Sequence, residues 1–179
     1  EEQRHGEYLG RFLDNEGIPR LEKQWTNGAF YRLRHLAGLE STIVILLTAE
    51  LVAMVYYAAL RAATGSAMLR AICDRILRDE AAHIRFQSDR LALLRRRRPR
   101  TLLQATRWLT VILFAGTCTV VWLTHRRAFL AGGLGPLRFA RHAWRELRRS
   151  LHLSDPARLP ALLPSRSRGA RGAFGRAVS

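Results

Sequence analysis

Asp79-Glu80-Ala81-Ala82-His83 and, at the start of the chain, Glu1-Glu2-Gln3-Arg4-His5 each place a Glu and a His three residues apart, as Glu80/His83 and Glu2/His5. On a helix, three residues make about 300° of rotation, so both side chains leave one face, a turn apart. A carboxylate and an imidazole presented that way can bind one metal ion, and two such helices facing each other can bind two. From Ile43 to Leu60 every residue is apolar or neutral except Glu50. An ionised carboxylate is costly to bury unless it is paired or bound to metal. A single Glu-x-x-His on a helix is common and says little alone. Two of them, each preceded by an acid (Glu1 and Asp79), with a third carboxylate stranded in apolar sequence, point to a buried metal centre.

The order and spacing also fit, since Glu2, Glu50 and Glu80 are separated by helix-and-turn lengths. By these motifs, residues 1–94 resemble the ferritin-like di-iron carboxylate superfamily, which includes rubrerythrins, ribonucleotide reductase small subunits and bacterial multicomponent monooxygenases. The resemblance implies an all-α, ferritin-like four-helix bundle. It implies two iron ions, with manganese as the alternative, held by Glu2, His5, Glu50, Glu80 and His83 and reacting with O₂ or peroxide. It further implies that the acid before each motif hydrogen-bonds the His of the opposite helix, Asp79 orienting His5 and Glu1 orienting His83. From the residues alone, Asp79 reads equally as a solvated charge paired with Arg75 or Arg78. Tyr57, two turns beyond Glu50, reads as a pocket wall or as a core aromatic.

One family ligand has no counterpart, the carboxylate of the first bundle helix. The expectation is therefore of an N-terminally truncated fragment that binds metal weakly. Leu9, Phe12 and part of the Ile43–Leu60 helix should then be left exposed where the missing helix would lie. Glu40, on the other side of the helix from Glu50, is a poor substitute.

Charge divides the 179-residue chain in two. Up to Leu94, twelve Arg and Lys balance twelve Asp and Glu; from Arg95 onward, eighteen Arg face only Glu146 and Asp155, which accounts for the net +16. The expected organisation is a di-metal bundle over residues 1–94, a basic helical extension over 95–152, and a disordered Arg-, Pro-, Ser- and Gly-rich tail over 153–179. Cys73 and Cys118 stand far apart without a Cys-x-x-Cys, which argues against a disulfide framework and a rubredoxin-type centre.

Along the chain, the first helix stops at Asn15-Glu16-Gly17-Ile18-Pro19, and residues 20–34 read as a connection holding a short helix broken near Asn27-Gly28. Apolar periodicity predicts helices from about Leu36 to Ala63 and from Ala67 to Leu94. The inner stripes are Ile43, Leu47, Glu50, Met54, Tyr57 on one and Ile72, Ile76, Glu80, His83, Gln87 on the other. Arg95-Arg96-Arg97-Arg98-Pro99-Arg100 reads as a solvated basic linker. Trp108–Thr124 carries no charge and is basic on both flanks. Its seventeen residues would span about 26 Å, at the lower limit for a bilayer. It is read as an additional apolar helix packed on the bundle or a partner rather than a membrane span. Gly132-Gly133 and Gly135-Pro136 close it, and Leu137–Leu151 reads as a basic amphipathic helix. His35, His125, His142 and His152 lack a ligand-spaced partner.

Three function classes follow. The first is a di-iron oxidoreductase, served by an electron-donor protein or small-molecule reductant. The second is a ferroxidase or other iron-handling protein. The third is a non-enzymatic helical protein whose basic half binds anionic lipid or nucleic acid. The Arg-rich half lacks interleaved aromatics and nucleic-acid motifs, which makes nucleic acid the weakest reading. The expected setting is a cytoplasmic homo-oligomer with peripheral membrane contact.

Overall fold

A computed structural model describes residues 2–20 and 38–159, and within them the chain is all-α, with no strand. Five helices follow one another: α1 Glu2–Asn15, α2 Leu39–Ala63, α3 Ala67–Arg95, α4 Arg100–Ala131 and α5 Pro136–Leu153. A short 3₁₀ turn at Pro156–Arg158 comes last. The short helix read within residues 20–34, His35 and the tail beyond Leu159 lie outside the described residues.

The boundaries have local causes. Gly17 takes φ +65°, a left-handed conformation in which Cβ is penalised, and the Ile18 amide then reaches back to the Leu13 carbonyl at 2.9 Å. This is the usual way a glycine ends a helix. The Ser66 side chain accepts from the Leu69 amide and caps α3. Pro136 occupies the first turn of α5, where its missing N–H costs nothing.

The main core joins α2, α3, α4 and α5. Leu47, Leu51 and Val55 of α2 meet Ile84 and Leu91 of α3, Phe114 and Phe129 of α4, and Phe139 and Leu147 of α5. Phe129 sits at its aromatic centre, with ring centroids 4.6 Å from Phe139, 5.6 Å from Trp122 and 5.9 Å from Tyr56. The helices after residue 94 are thus built into the core shared by α2 and α3. At their junction Gly132 lies against the backbone of Ala59, and a Cβ there would stand 2.3 Å from the Ala59 carbonyl oxygen, so only glycine fits.

A second, smaller core fixes α1. Phe12 packs with Leu69 and Cys73 of α3, flanked by Leu9, Leu13, Tyr57, Leu60 and Ile72. The exposure expected of Leu9, Phe12 and part of the Ile43–Leu60 helix is not observed: α3 covers the Phe12 ring, Leu9 is half-buried beside it, and between Ile43 and Leu60 only Ala58 is exposed. Tyr57 packs against this cluster and edge-on to Tyr56, the core alternative of its two readings.

Two further expectations change. The arginine run is not simply solvated. Arg95 is buried, with Nε donating to Glu40 Oε1 at 2.9 Å, and Arg98 Nη2 meets Glu40 Oε2 at 2.5 Å, so the run ties the end of α3 to the start of α2. Residues 153–159 do not belong to the disordered tail expected over 153–179, since Leu153 ends α5, Ser154 and Leu159 are buried and the 3₁₀ turn between them rests on α3. α2 and α4 are each long and apolar enough to cross a membrane.

Candidate metal centre

Three helices bring the site together. α2 delivers Glu50 from the middle of its apolar run, and α3 delivers Glu80 and His83 from one face, a turn apart. One ligand atom from each of these three residues can be chosen so that all lie within 4.8 Å of one another. Glu50 and Glu80 are buried, at 7% and 3% exposure, while His83 is half-buried. α1 supplies His5, also buried, on the other side of Glu80.

Glu80 is the hub. Its Oε1 lies 3.7 Å from His5 Nδ1, and its Oε2 lies 3.8 Å from His83 Nδ1. His83 Nδ1 also stands 3.9 Å from Glu50 Oε1. These separations exceed a hydrogen bond. They suit ligands sharing an ion, since two donor atoms each about 2.1 Å from one cation stand roughly 3 to 4 Å apart. Two buried carboxylates side by side repel each other, and a cation between them relieves both the repulsion and the desolvation. A mixed oxygen and imidazole set matches iron or manganese better than a thiolate-seeking metal. The residues present therefore fit the group that the motifs suggest.

Other side chains hold these donors in place. His5 Nε2 lies 3.1 Å from Asp79 Oδ2. An ionised carboxylate only accepts, so Nε2 is the donor in this contact and Nδ1 is the nitrogen left facing Glu80. Arg75 donates to the same Asp79 oxygen at 3.1 Å, so Asp79 contacts both His5 and Arg75. The hydrogen bond from His5 and then that from Arg75 lower the Asp79 pKa below the ordinary carboxylate value. On the far side, Gln87 Nε2 donates to Glu50 Oε1 at 2.6 Å.

Gln87 belongs to the α3 stripe, but no role could be read for it in sequence. The available signal was its place one turn beyond His83 on the ligand face. The roles read for Glu1 and for the Glu2 carboxylate lie outside the described residues; Glu2 opens α1. Glu40 is held by Arg95 and Arg98, as its poor placement for a ligand suggests. No protein-family model, curated protein or solved structure matches the chain.

Proposed function

We propose that the chain is a ferritin-like di-iron protein that works as an oxidoreductase on O₂ or peroxide. The observation that carries this reading is the position of Glu80, each of whose oxygens faces a different imidazole. Glu80 would then serve two ions, with His5 as partner donor for one and His83 and Glu50 for the other. His5 and His83 would hold the ions as neutral imidazoles, and Glu50 would add a terminal carboxylate on the second. Asp79 fixes the donor nitrogen of His5, and Gln87 fixes the Glu50 carboxylate. A bound iron pair would supply electron exchange with O₂ or peroxide, and manganese would suit the same donors.

Anaerobic titration of the full chain with Fe(II), followed by exposure to O₂, tests the reading. The expected result is weak binding that reaches two ions per chain only at excess Fe(II), with Glu80→Ala abolishing both and His83→Ala removing one. Uptake unaffected by Glu80→Ala would overturn it. Accumulation of tens of irons per chain under air would instead place the protein with the iron-handling class. Turnover also requires a reductant, either a donor protein or a small molecule.

A further inference from the structure

α4 is the most apolar helix left uncovered. Only 17% of its apolar window is buried, against 44% for that of α2. Trp108, Leu109, Ile112 and Leu123 are 68%, 65%, 65% and 62% exposed and recur at helical spacing along one side. None of the described residues covers that side. It is uncharged from Trp108 to Thr124 and bounded by exposed arginines at both ends, Arg97 and Arg100 before it and Arg126 and Arg127 after it. Across an open apolar groove of about 380 Å³, Trp108 faces Trp144 of α5. Trp144 itself shares a stripe with exposed Leu137, Arg141 and Arg148.

We propose that this face is a docking surface for an anionic lipid bilayer, with α4 lying in the plane of the interface. Large apolar side chains would enter the acyl boundary, tryptophans would sit at headgroup level, and arginines would pair with lipid phosphates. Charge complementarity selects this occupant, since Arg97, Arg100, Arg126 and Arg127 at the ends of α4 and Arg141 and Arg148 beside Trp144 are all exposed. Arginines at both ends suit a helix lying flat, whose two ends meet the same headgroup layer. A transmembrane α4 would carry one end to the opposite leaflet. It would also drag in α5, which packs against α4 and α2 and exposes Arg138, Arg141, Arg145, Arg148 and Arg149 along its length. The inference stands independently of the metal centre.

Co-sedimentation of the full chain with phosphatidylcholine vesicles, with and without phosphatidylglycerol, tests it. Binding is expected only with phosphatidylglycerol and should weaken as salt is raised. The Leu109→Glu/Ile112→Glu pair, and separately Leu123→Glu, should each lower the partition coefficient by about tenfold or more. Far-UV dichroism checks that each variant is folded, and either folded variant decides the test. Equal binding by a folded variant, equal binding to neutral vesicles, or no binding would overturn the proposal. So would retention through carbonate washing, the mark of a span, or a lipid-free dimer dissociated by the same substitutions, which would make a second copy the occupant.

Discussion

The Nε2 atom of His5 lies 3.1 Å from Oδ2 of Asp79, joining residues 74 positions apart in sequence. This bond links α1 to α3 beside the candidate metal centre, and it decides which imidazole nitrogen faces Glu80. Asp79→Asn keeps the size and most of the polarity of the side chain but removes the ionised acceptor. Supports of this kind typically govern metal affinity by about 10- to 100-fold. The expected outcome is a loss of that order in affinity on the His5 side, with ion binding at His83 and Glu50 little changed. Isothermal titration with Co(II) as a spectroscopic stand-in would resolve the two. Identical affinities in Asp79→Asn and the parent would show that the bond only anchors α1.

The docking of α1 can be read through Cys73. This thiol is fully buried beneath Phe12, and burial, reinforced by nearby Asp74, raises its pKa above the usual thiol value. Cys118 is pushed up to about 12 by burial alone. A raised thiol pKa means less thiolate at any given pH, so neither residue should label readily at mildly alkaline pH. Phe12→Ala uncovers Cys73, relieves the burial that raises its pKa and should raise its labelling rate by about tenfold or more. Mass spectrometry of the labelled sites is the check. Equal acceleration at Cys118 would mean that the substitution unfolded the whole chain rather than releasing α1.

What the sequence made legible and what it hid have distinct physical causes. Glu50 stood out because a lone carboxylate in an apolar run has few solutions, and Glu80/His83 because helical spacing fixes a shared face. Helix ends were readable where one residue dictates the backbone, as at Gly17, Ser66 and Pro136. The place of α4 was harder to read. Trp108–Thr124 is uncharged around its whole circumference, so no periodicity marks which side joins the core with Leu51 of α2 and Phe139 of α5. Arg95 was hidden by its neighbours, since a run of identical residues carries no sign of which member turns inward. Phe12 was misjudged because covering by a missing helix was assumed where α3 suffices.

The Glu40–Arg95 pair offers an asymmetric test. Arg95 is almost wholly buried, while Glu40 keeps some exposure and a second cation, Arg98. Removing one partner of a buried pair leaves the other charge uncompensated, at about 3–5 kcal/mol. Glu40→Ala should therefore cost that much. Arg95→Met should cost clearly less, because the side chain that remains is apolar and Glu40 keeps Arg98. Urea unfolding at constant m-value compares the two. Equal losses, or a larger loss for Arg95→Met, would contradict the burial assigned to the arginine.

Glu50 tests whether the centre trades stability for binding. Without a bound ion, Glu50 and Glu80 place two carboxylates in a buried site within ligand distance of each other, with Gln87 donating to the first. Glu50→Gln removes one negative charge at nearly constant volume. The apo form should then melt higher, because one desolvated anion and its repulsion with Glu80 are gone. The same change removes a metal donor. Binding to the folded state alone stabilises by roughly 2.7 kcal/mol at a hundredfold excess of ligand over Kd. The parent should therefore gain in Tm on adding Fe(II) anaerobically, and Glu50→Gln should gain little. The two melting curves should cross, the variant being more stable without metal and less stable with it. If Glu50→Gln melts lower in both conditions, Glu50 serves the fold and is not a metal ligand.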